Sequence, residues 1–253
     1  SKLRMVMQEL FRQARRSRLI IYDPAEGLLL PESVKRSHRP ITKAERRHIL
    51  AVAQTHPAGL WVLTILYTGL RPGETAALFW EDIDFDRNEI HVYKAVESGT
   101  RTIKAPKTPA GIRDIPMRQE LRERLLAVRG EGAAPVFPSA NGGIRSANSL
   151  RRLWNSFAHA LDLHMGAKVR DGQILQHAIA PDLTPYCLRH TFCTDLQRAG
   201  VPINVAKELM GHANISVTAN IYTHRDQKVL HNNMAKLNPK GRRAVGKTQE
   251  KTV

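Results

Sequence analysis

Between Leu183 and His224 the chain gathers Tyr186, Arg189, His190, His212 and Tyr222 into about three short helical stretches. A second arginine, Arg71, stands far upstream, directly before Pro72. These side chains suit phosphoryl transfer. Two arginines can each fork onto non-bridging phosphate oxygens and neutralise the charge that builds in a five-coordinate transition state. A tyrosine hydroxyl can attack phosphorus and form a covalent ester. Such an ester stores the energy of the broken bond, so a DNA strand cut this way is rejoined with neither ATP nor a metal. Other chemistries lack their residues. There is no Gly-Lys-Ser/Thr phosphate loop. Cys187 and Cys193 lack the spacing of a zinc site. The acidic run of Glu81, Asp82, Asp84 and Asp86 has no histidine companion and reads as a solvated turn rather than a two-metal centre. No cofactor is expected.

The composition points to a polyanionic partner. In 253 residues there are 39 Lys+Arg against 23 Asp+Glu, a formal net charge of +16. Nucleic acid is the first expectation and an anionic membrane surface the second. No apolar run approaches the ~20 residues of a membrane span, and no signal peptide opens the chain. The two cysteines look unbridged, which fits a reducing, intracellular compartment.

Local signals place the reactive residues. Thr184 suits an N-cap and Pro185 the first helical position. Leu188, Phe192 and Leu196 then form one apolar stripe, ended by Gly200. Tyr186 and Arg189 share a different face. Pro202 opens a second helix with Ile203, Ala206 and Leu209 inward, closed by Gly211. Ser216 is expected to cap a third, with Val217 and Ile221 inward and Tyr222 beside that face. Upstream, Thr42 to Glu45 is a capping box, followed by Ile49, Leu50 and Ala53 on one face. Leu60 to Leu66 is almost continuously apolar, which predicts a helix buried on most sides, stopped by Gly69. Pro72 opens a helix to about Phe79. A residue before proline avoids the helical region, so Arg71 is expected on a fixed bend.

Residues 88–117 change character. Ile90, Val92 and Ala95, then Ile103, then Ile112 and Ile115, predict three short antiparallel strands with turns near 98–100 and 107–111. Helices resume at about 118–128 (Leu121, Leu125, Val128) and 147–161 (Leu150, Leu153, Trp154, Phe157, Leu161). The stretch 164–181 has no clear period. A helix at 226–237 is expected, with Leu230, Met234 and Leu237 on one side, then a basic, disordered tail from Pro239. At the other end residues 1 to about 20 look helical but too small to bury their own stripe. Residues 21–40, with Pro24, Gly27, Pro31 and Pro40, read as a linker. The fold expected is mainly α with a small three-stranded antiparallel sheet.

Four segments carry a family resemblance. Thr68-Gly69-Leu70-Arg71-Pro72-Gly73-Glu74 resembles the first box of tyrosine recombinases, and Tyr186-Cys187-Leu188-Arg189-His190-Thr191-Phe192 resembles the second. Leu209-Met210-Gly211-His212 and Ile221-Tyr222-Thr223-His224 resemble the segments of the late histidine and the nucleophile. All four occur in the family's order, with a hairpin lysine between the first two. Wording and spacing are most similar to the integrases of conjugative transposons.

The resemblance implies a tyrosine recombinase catalytic domain at 41–224. It makes 1–40 the end of a core-binding domain with its linker, and 225–253 a C-terminal helix and basic tail that docks on its own domain or on a neighbour. It implies that Arg71 and Arg189 bind the scissile phosphate and that Glu74 holds Arg71. Lys107 is implied to protonate the leaving 5′ oxygen, with Lys104 the competitor for that role. His212 is implied to donate to a non-bridging oxygen, His190 to support from behind, and Tyr222 to be the nucleophile. One departure concerns the position three before Arg189, where the family usually has histidine and this chain has Tyr186. A phenol with a pKa of about 10 can donate to phosphate but is a poor base near neutrality. That leaves water, Lys107 or His212 to take the proton from Tyr222. The spacing from His212 to Tyr222 is also one residue longer than in many members.

The function so implied is site-specific integration or excision of a mobile element through a 3′-phosphotyrosyl intermediate. Four protomers would act on double-stranded DNA through a Holliday junction, with an accessory DNA-bending or excision factor, on the nucleoid in a bacterial cytoplasm. Two rivals share the residues: a type IB topoisomerase, and a DNA-binding regulator without catalysis.

Overall fold

The computed structural model describes residues 2–27, 38–97, 100–106, 108–222 and 234. The chain forms two units, Ser1–Ser37 and His38–Val253. In the first, α1 (Lys2–Arg16) ends as Arg18 takes a left-handed φ of 57° and the Leu19 N–H donates to Ala14 O at 2.9 Å.

The second unit is built on α3 (Gly59–Thr68), in which every residue from Trp61 to Thr68 is buried. The uninterrupted apolar run explains this, and the two threonines within it satisfy their own hydroxyls. Thr64 Oγ1 donates to Leu60 O at 2.9 Å and Thr68 Oγ1 to Thr64 O at 2.5 Å. Before it, α2 (Lys43–Val52) opens with the expected capping box. The Glu45 N–H donates to Thr42 Oγ1 at 3.1 Å, and the Thr42 N–H to Glu45 Oε2 at 2.7 Å. Gly69 ends α3 at φ 66°, and α4 (Pro72–Ala76) follows. Trp61 Nε1 donates to Thr75 Oγ1 at 2.8 Å and pins α4 to α3.

The predicted helix to Phe79 stops at Ala76. Its next peptide groups find partners in the loop at 132–136: Trp80 N–H donates to Ala134 O and Val136 N–H to Leu78 O. The acidic run is not a solvated turn throughout. Asp82 is buried, accepts from Phe79 N–H at 2.8 Å and from the Tyr93 hydroxyl at 2.7 Å, and lies 3.0 Å from Lys94 Nζ. It is a structural carboxylate that fastens the first turn of the sheet.

That sheet differs in membership from the expectation. β1 (Ile83–Asp84), β2 (Glu89–Val92) and β5 (Arg113–Pro116) form it in the order β1-β2-β5, all antiparallel, with Ile90 paired to Ile83 and Ile115. β3 (Ala95–Val96) and β4 (Ile103–Lys104) make a separate two-stranded hairpin. Tyr93 and Lys94 turn toward Asp82 where β2 leaves the sheet, and β5 occupies the edge of β2 that 103–104 was expected to take.

Two helices follow, α5 (Gln119–Ala127) and α6 (Ala147–His164). Leu121 and Leu125 of α5 and Leu150, Trp154, Phe157 and Leu161 of α6 face the core, while Val128 lies past its helix end and is exposed. The aperiodic stretch after α6 holds a hairpin, β6 (Lys168–Arg170) and β7 (Gln173–Gln176), joined by Asp171 and Gly172 at φ 53° and 76°. Positive φ at both central residues marks a primed turn, for which Asp-Gly is a preferred pair.

The last three helices are α7 (Pro185–Arg198), α8 (Ile203–Met210) and α9 (Ile215–Tyr222). α7 packs along α3, and α8 and α9 pack on α7. The cap of α9 is Asn214 rather than Ser216, since Asn214 Oδ1 accepts the Ser216 N–H at 2.9 Å. Val217 is consequently half exposed and Thr218 fully buried. In α8 the buried positions are Ala206 and Met210, with Ile203 and Leu209 partly covered. The helix expected at 226–237 lies outside the described residues apart from Met234, and so does the tail.

Candidate active site

Arg71 owes its position to its neighbours. Gly69 turns the chain through a left-handed φ, Leu70 is buried, and Pro72 holds Arg71 extended at φ −71°, ψ 148°. The Arg71 N–H donates to Glu74 Oε2 at 2.8 Å, and its guanidinium donates to Glu74 Oε1 at 2.7 Å and to Gly211 O at 2.9 Å. Its side chain keeps 37% exposure. Arg189, on the face of α7 turned toward α3, is buried and donates to Gly69 O and Met210 O. The two arginines therefore reach the carbonyls of consecutive residues at the C-terminus of α8. Helix C-termini leave carbonyls unpaired and carry partial negative charge, which is what cations complement there.

His212 follows at once, after Gly211 in the left-handed region at φ 61°. Its Nδ1 lies 2.9 Å from the buried Thr218 hydroxyl of α9, so the two short helices hold the ring between them. Burial, with repulsion from Arg189, Arg71 and Arg113, pushes the imidazole pKa down to about 4. The ring is neutral near pH 7. Burial alone would raise the Glu74 carboxyl, but hydrogen bonds and charge from Arg113, with Arg189 and Arg71, hold it at about 2. Burial and the neighbouring guanidinium of Arg71 also lower the pKa of Arg189. A guanidinium still keeps its proton at neutral pH. Three guanidiniums against one carboxylate leave the cluster cationic, which is what an incoming phosphate needs.

Arg113 is the member that sequence reasoning did not find. It is buried on β5, donates to Glu74 Oε2 at 2.9 Å and Oε1 at 3.2 Å, and completes the set with Leu209 O at 2.8 Å. Its signal was present in the alternation of the strand. Ile112 and Asp114 face out and Arg113 and Ile115 face in. A charged residue on the inward face needs a partner, and Glu74 is the partner.

The remaining candidates stand as follows. Tyr186 is exposed and stacks on His38, ring centroids 5.0 Å apart at 15°. It borders, with Arg71, Glu74, Val96 and Trp154, a cavity of about 560 Å³. A second cavity of about 380 Å³ lies between Arg71, Gly211 and the hairpin, lined also by Lys104, Pro106 and Thr108. Lys104 pairs with Glu97 at 2.8 Å. Lys107 lies outside the described residues, although both its chain neighbours line that cavity. His190 is partly buried, next to Arg189 on α7. Tyr222 is the last residue of α9, and its side chain lies outside what is described. Among the described residues no group of three or more His, Cys, Asp or Glu is placed to hold a metal ion.

The description "Phage integrase family" matches residues 39–228, most of the chain. The chain belongs to the phage integrase family. Among curated members it is 29% identical over 218 residues to a tyrosine recombinase XerC-like protein of Caldanaerobacter subterraneus subsp. tengcongensis, covering 82% of this chain and 56% of that one. It is 30% identical over 166 residues to the transposase from transposon Tn916 of Enterococcus faecalis, covering 64% and 41%. The chain thus spans about half the length of these curated relatives. Among solved integrases, that of the Tn1549 transposon, in complex with circular intermediate DNA, superposes with a TM-score of 0.70 at 25% identity, covering 92% of this chain and 78% of that one. A lambda integrase dimer bound to a core site shares the fold, with a TM-score of 0.58 at 18% identity over 88% and 59%. The integrase match and the half-helical fold with small antiparallel sheets agree with the family resemblance and fold class expected from the sequence.

Proposed function

We propose that this chain carries out site-specific recombination of DNA, integrating or excising a mobile element by tyrosine-mediated strand cleavage and rejoining. The observation that supports this best is the convergence of Arg71 and Arg189 on Met210 and Gly211, directly ahead of His212. Relatives named as transposon transposases and integrases support the kind of substrate.

In the proposed reaction the scissile phosphate sits against the exposed part of Arg71 with Arg189 behind. The Tyr222 hydroxyl attacks phosphorus. A P–O bond to the phenol forms, the bond from phosphorus to the 5′ oxygen breaks, and that oxygen leaves as a 5′-hydroxyl after taking a proton from Lys107. The tyrosine's proton passes to water or to a neighbouring base. A neutral His212 that accepts from Thr218 at Nδ1 carries its proton on Nε2 and donates it to a non-bridging oxygen. Tyr186, which borders a cavity together with Arg71, donates to the phosphate. A 5′-hydroxyl of the partner strand then attacks the phosphotyrosine and releases Tyr222. Four protomers perform this on two duplexes through a Holliday junction, in the cytoplasm of a bacterium. Glu74 supports Arg71, and His190 supports Arg189.

The test is a nicked duplex that traps the intermediate, built from the DNA flanking the gene. A covalent protein–DNA adduct with the wild type and none with Tyr222→Phe is the expected result. Bound DNA without adduct would point instead to a regulator, and relaxation of supercoiled plasmid by a lone protomer to a topoisomerase.

A further inference from the structure

The C-terminus of α8 ends in three consecutive carbonyls, and each accepts from a different arginine. Arg113 takes Leu209 O, Arg189 takes Met210 O and Arg71 takes Gly211 O. Two of these arginines belong to the site already described. Arg113 differs from Arg71, whose side chain keeps 37% exposure, in having only 1% of its side chain exposed, so it has no face left for a substrate. Four of its five N–H donors go to groups within the protein. Nε goes to Leu209 O, one terminal nitrogen to Glu74 Oε1 and Gly111 O, both at 3.2 Å, and the other to Glu74 Oε2.

Those acceptors lie on three segments that each carry a residue of the proposed chemistry. Glu74 sits in the turn that holds Arg71. Gly111 stands four residues after Lys107 in the chain. Leu209 stands three residues before His212. Two glycines keep the passage open. A Cβ on Gly211 would lie 2.8 Å from the Arg113 guanidinium, and one on Gly111 would lie 2.3 Å from the Pro106 ring. The arginine is itself held in register by the pairing of β5 with β2, Arg113 opposite Val92 and Ile115 opposite Ile90.

We infer that Arg113 is a positioning residue that locks the α8 terminus, the Glu74 carboxylate and the Gly111 turn together so that Arg71 and His212 face one phosphate. This rests on the recombination reading. A planar fork with five donors meets this geometry. A lysine places its three donors on one nitrogen at the end of a flexible stem and does not reproduce that planar, spread fork.

The experiment compares Arg113→Met, Arg113→Lys and the double variant Glu74→Gln/Arg113→Met. Each is assayed for DNA affinity, for the single-turnover rate of adduct formation on saturating nicked duplex, and for the titration of the His212 ring by NMR. Misplacement of catalytic groups by about 1 Å costs on the order of 10²-fold in rate. Arg113→Met is therefore expected to bind DNA within about threefold of wild type and to cleave on the order of 10²-fold more slowly. Arg113→Lys stays at least about tenfold slow. The double variant, which buries neither charge, also stays slow. Should Arg113→Met fail to fold, the double variant decides, and should both fail, Arg113→Lys decides. Wild-type rates in the deciding variant overturn the inference, because Arg113 would then only neutralise a carboxylate.

The ring titration needs no turnover. Among the described residues the charged groups facing His212 are Arg189 of α7, Arg71 and Glu74 around α4, and Arg113 of β5. Loss of Arg113 is expected to raise the midpoint and shift the ring resonances, and an unmoved ring contradicts the inference. If the wild type binds duplex and forms no adduct, the recombination reading fails while the titration still decides the role of Arg113.

Discussion

At the residue scale the site is governed by two groups displaced in the same direction for different reasons. Glu74 is held near 2, from an ordinary 4.5, by the guanidiniums around it. His212 is pushed to about 4, from 6.5, by burial and the same guanidiniums. Linkage gives each its own window. For the carboxyl, the unfolded chain takes up a proton before the folded one, so the stabilisation is complete above pH 4.5 and is lost on descending toward pH 2. The imidazole is also protonated first in the unfolded chain, and stability falls as pH drops from 6.5 to 4. The Glu74 contribution is on the order of 3 kcal/mol at pH 7. Glu74→Gln strands a buried guanidinium and is destabilising at neutral pH, so the informative quantity is the slope of stability with pH. Denaturant melts across pH 2 to 8 should show the lower limb flattened in Glu74→Gln and the upper limb flattened in His212→Asn. Identical slopes in all three proteins would mean that neither group has the displacement argued for it.

At the element scale, α8 is short and its end is where the site is assembled. Gly211 reaches φ 61° with a guanidinium 2.8 Å from where a Cβ would lie. A left-handed residue with a side chain costs about 1–2 kcal/mol, and displaced packing costs about 1–3 more. Gly211→Ala should therefore melt several degrees lower and form adduct far more slowly than its loss of stability accounts for, read by calorimetry beside single-turnover cleavage. A lower melting temperature with an unchanged cleavage rate would mean the terminus of α8 tolerates movement. Much of this element was legible in the sequence. Pro202 and Gly211 bracket it, Thr42 and Glu45 announce α2, and Pro72 fixes the bend at Arg71. What failed to show had a physical cause in each case. The carbonyls of Leu209, Met210 and Gly211 are backbone groups and carry no side-chain signal. Arg113 was hidden because an inward arginine breaks the apolar alternation by which strands are recognised, although Ile115 two residues on gave its face. The Asp171-Gly172 turn was a readable cue whose flanks do not alternate. The sheet was assigned the wrong middle strand because short strands carry no label for their partner, and the buried bonds of Asp82 decided where β2 leaves the sheet.

At the scale of the whole molecule, two populations of positive charge have different reach. The chain carries a formal net charge of +16, and among its described cations many are exposed while the guanidiniums of Arg113 and Arg189 are buried beside Glu74. Surface charges act on DNA through solvent, where salt screens them over about 8–10 Å at physiological ionic strength. Phosphate contacts of this kind release counterions, so affinity falls steeply with salt. A protein with 6–10 such contacts loses about 10³- to 10⁵-fold between 50 and 200 mM. Buried charges that act at hydrogen-bond distance are screened far less. Binding and chemistry should therefore separate. Titrating salt from 50 to 200 mM is expected to weaken DNA binding by at least about 10³-fold. The cleavage rate of the saturated complex should change by no more than about threefold, since in the proposed complex the bound phosphate covers the exposed part of Arg71 and the guanidinium of Arg189 lies buried behind it. Filter binding and single-turnover adduct formation on one nicked duplex measure the two quantities side by side. A cleavage rate that fell in proportion to affinity would place the catalytic cations in solvent, at odds with a site closed around the end of α8.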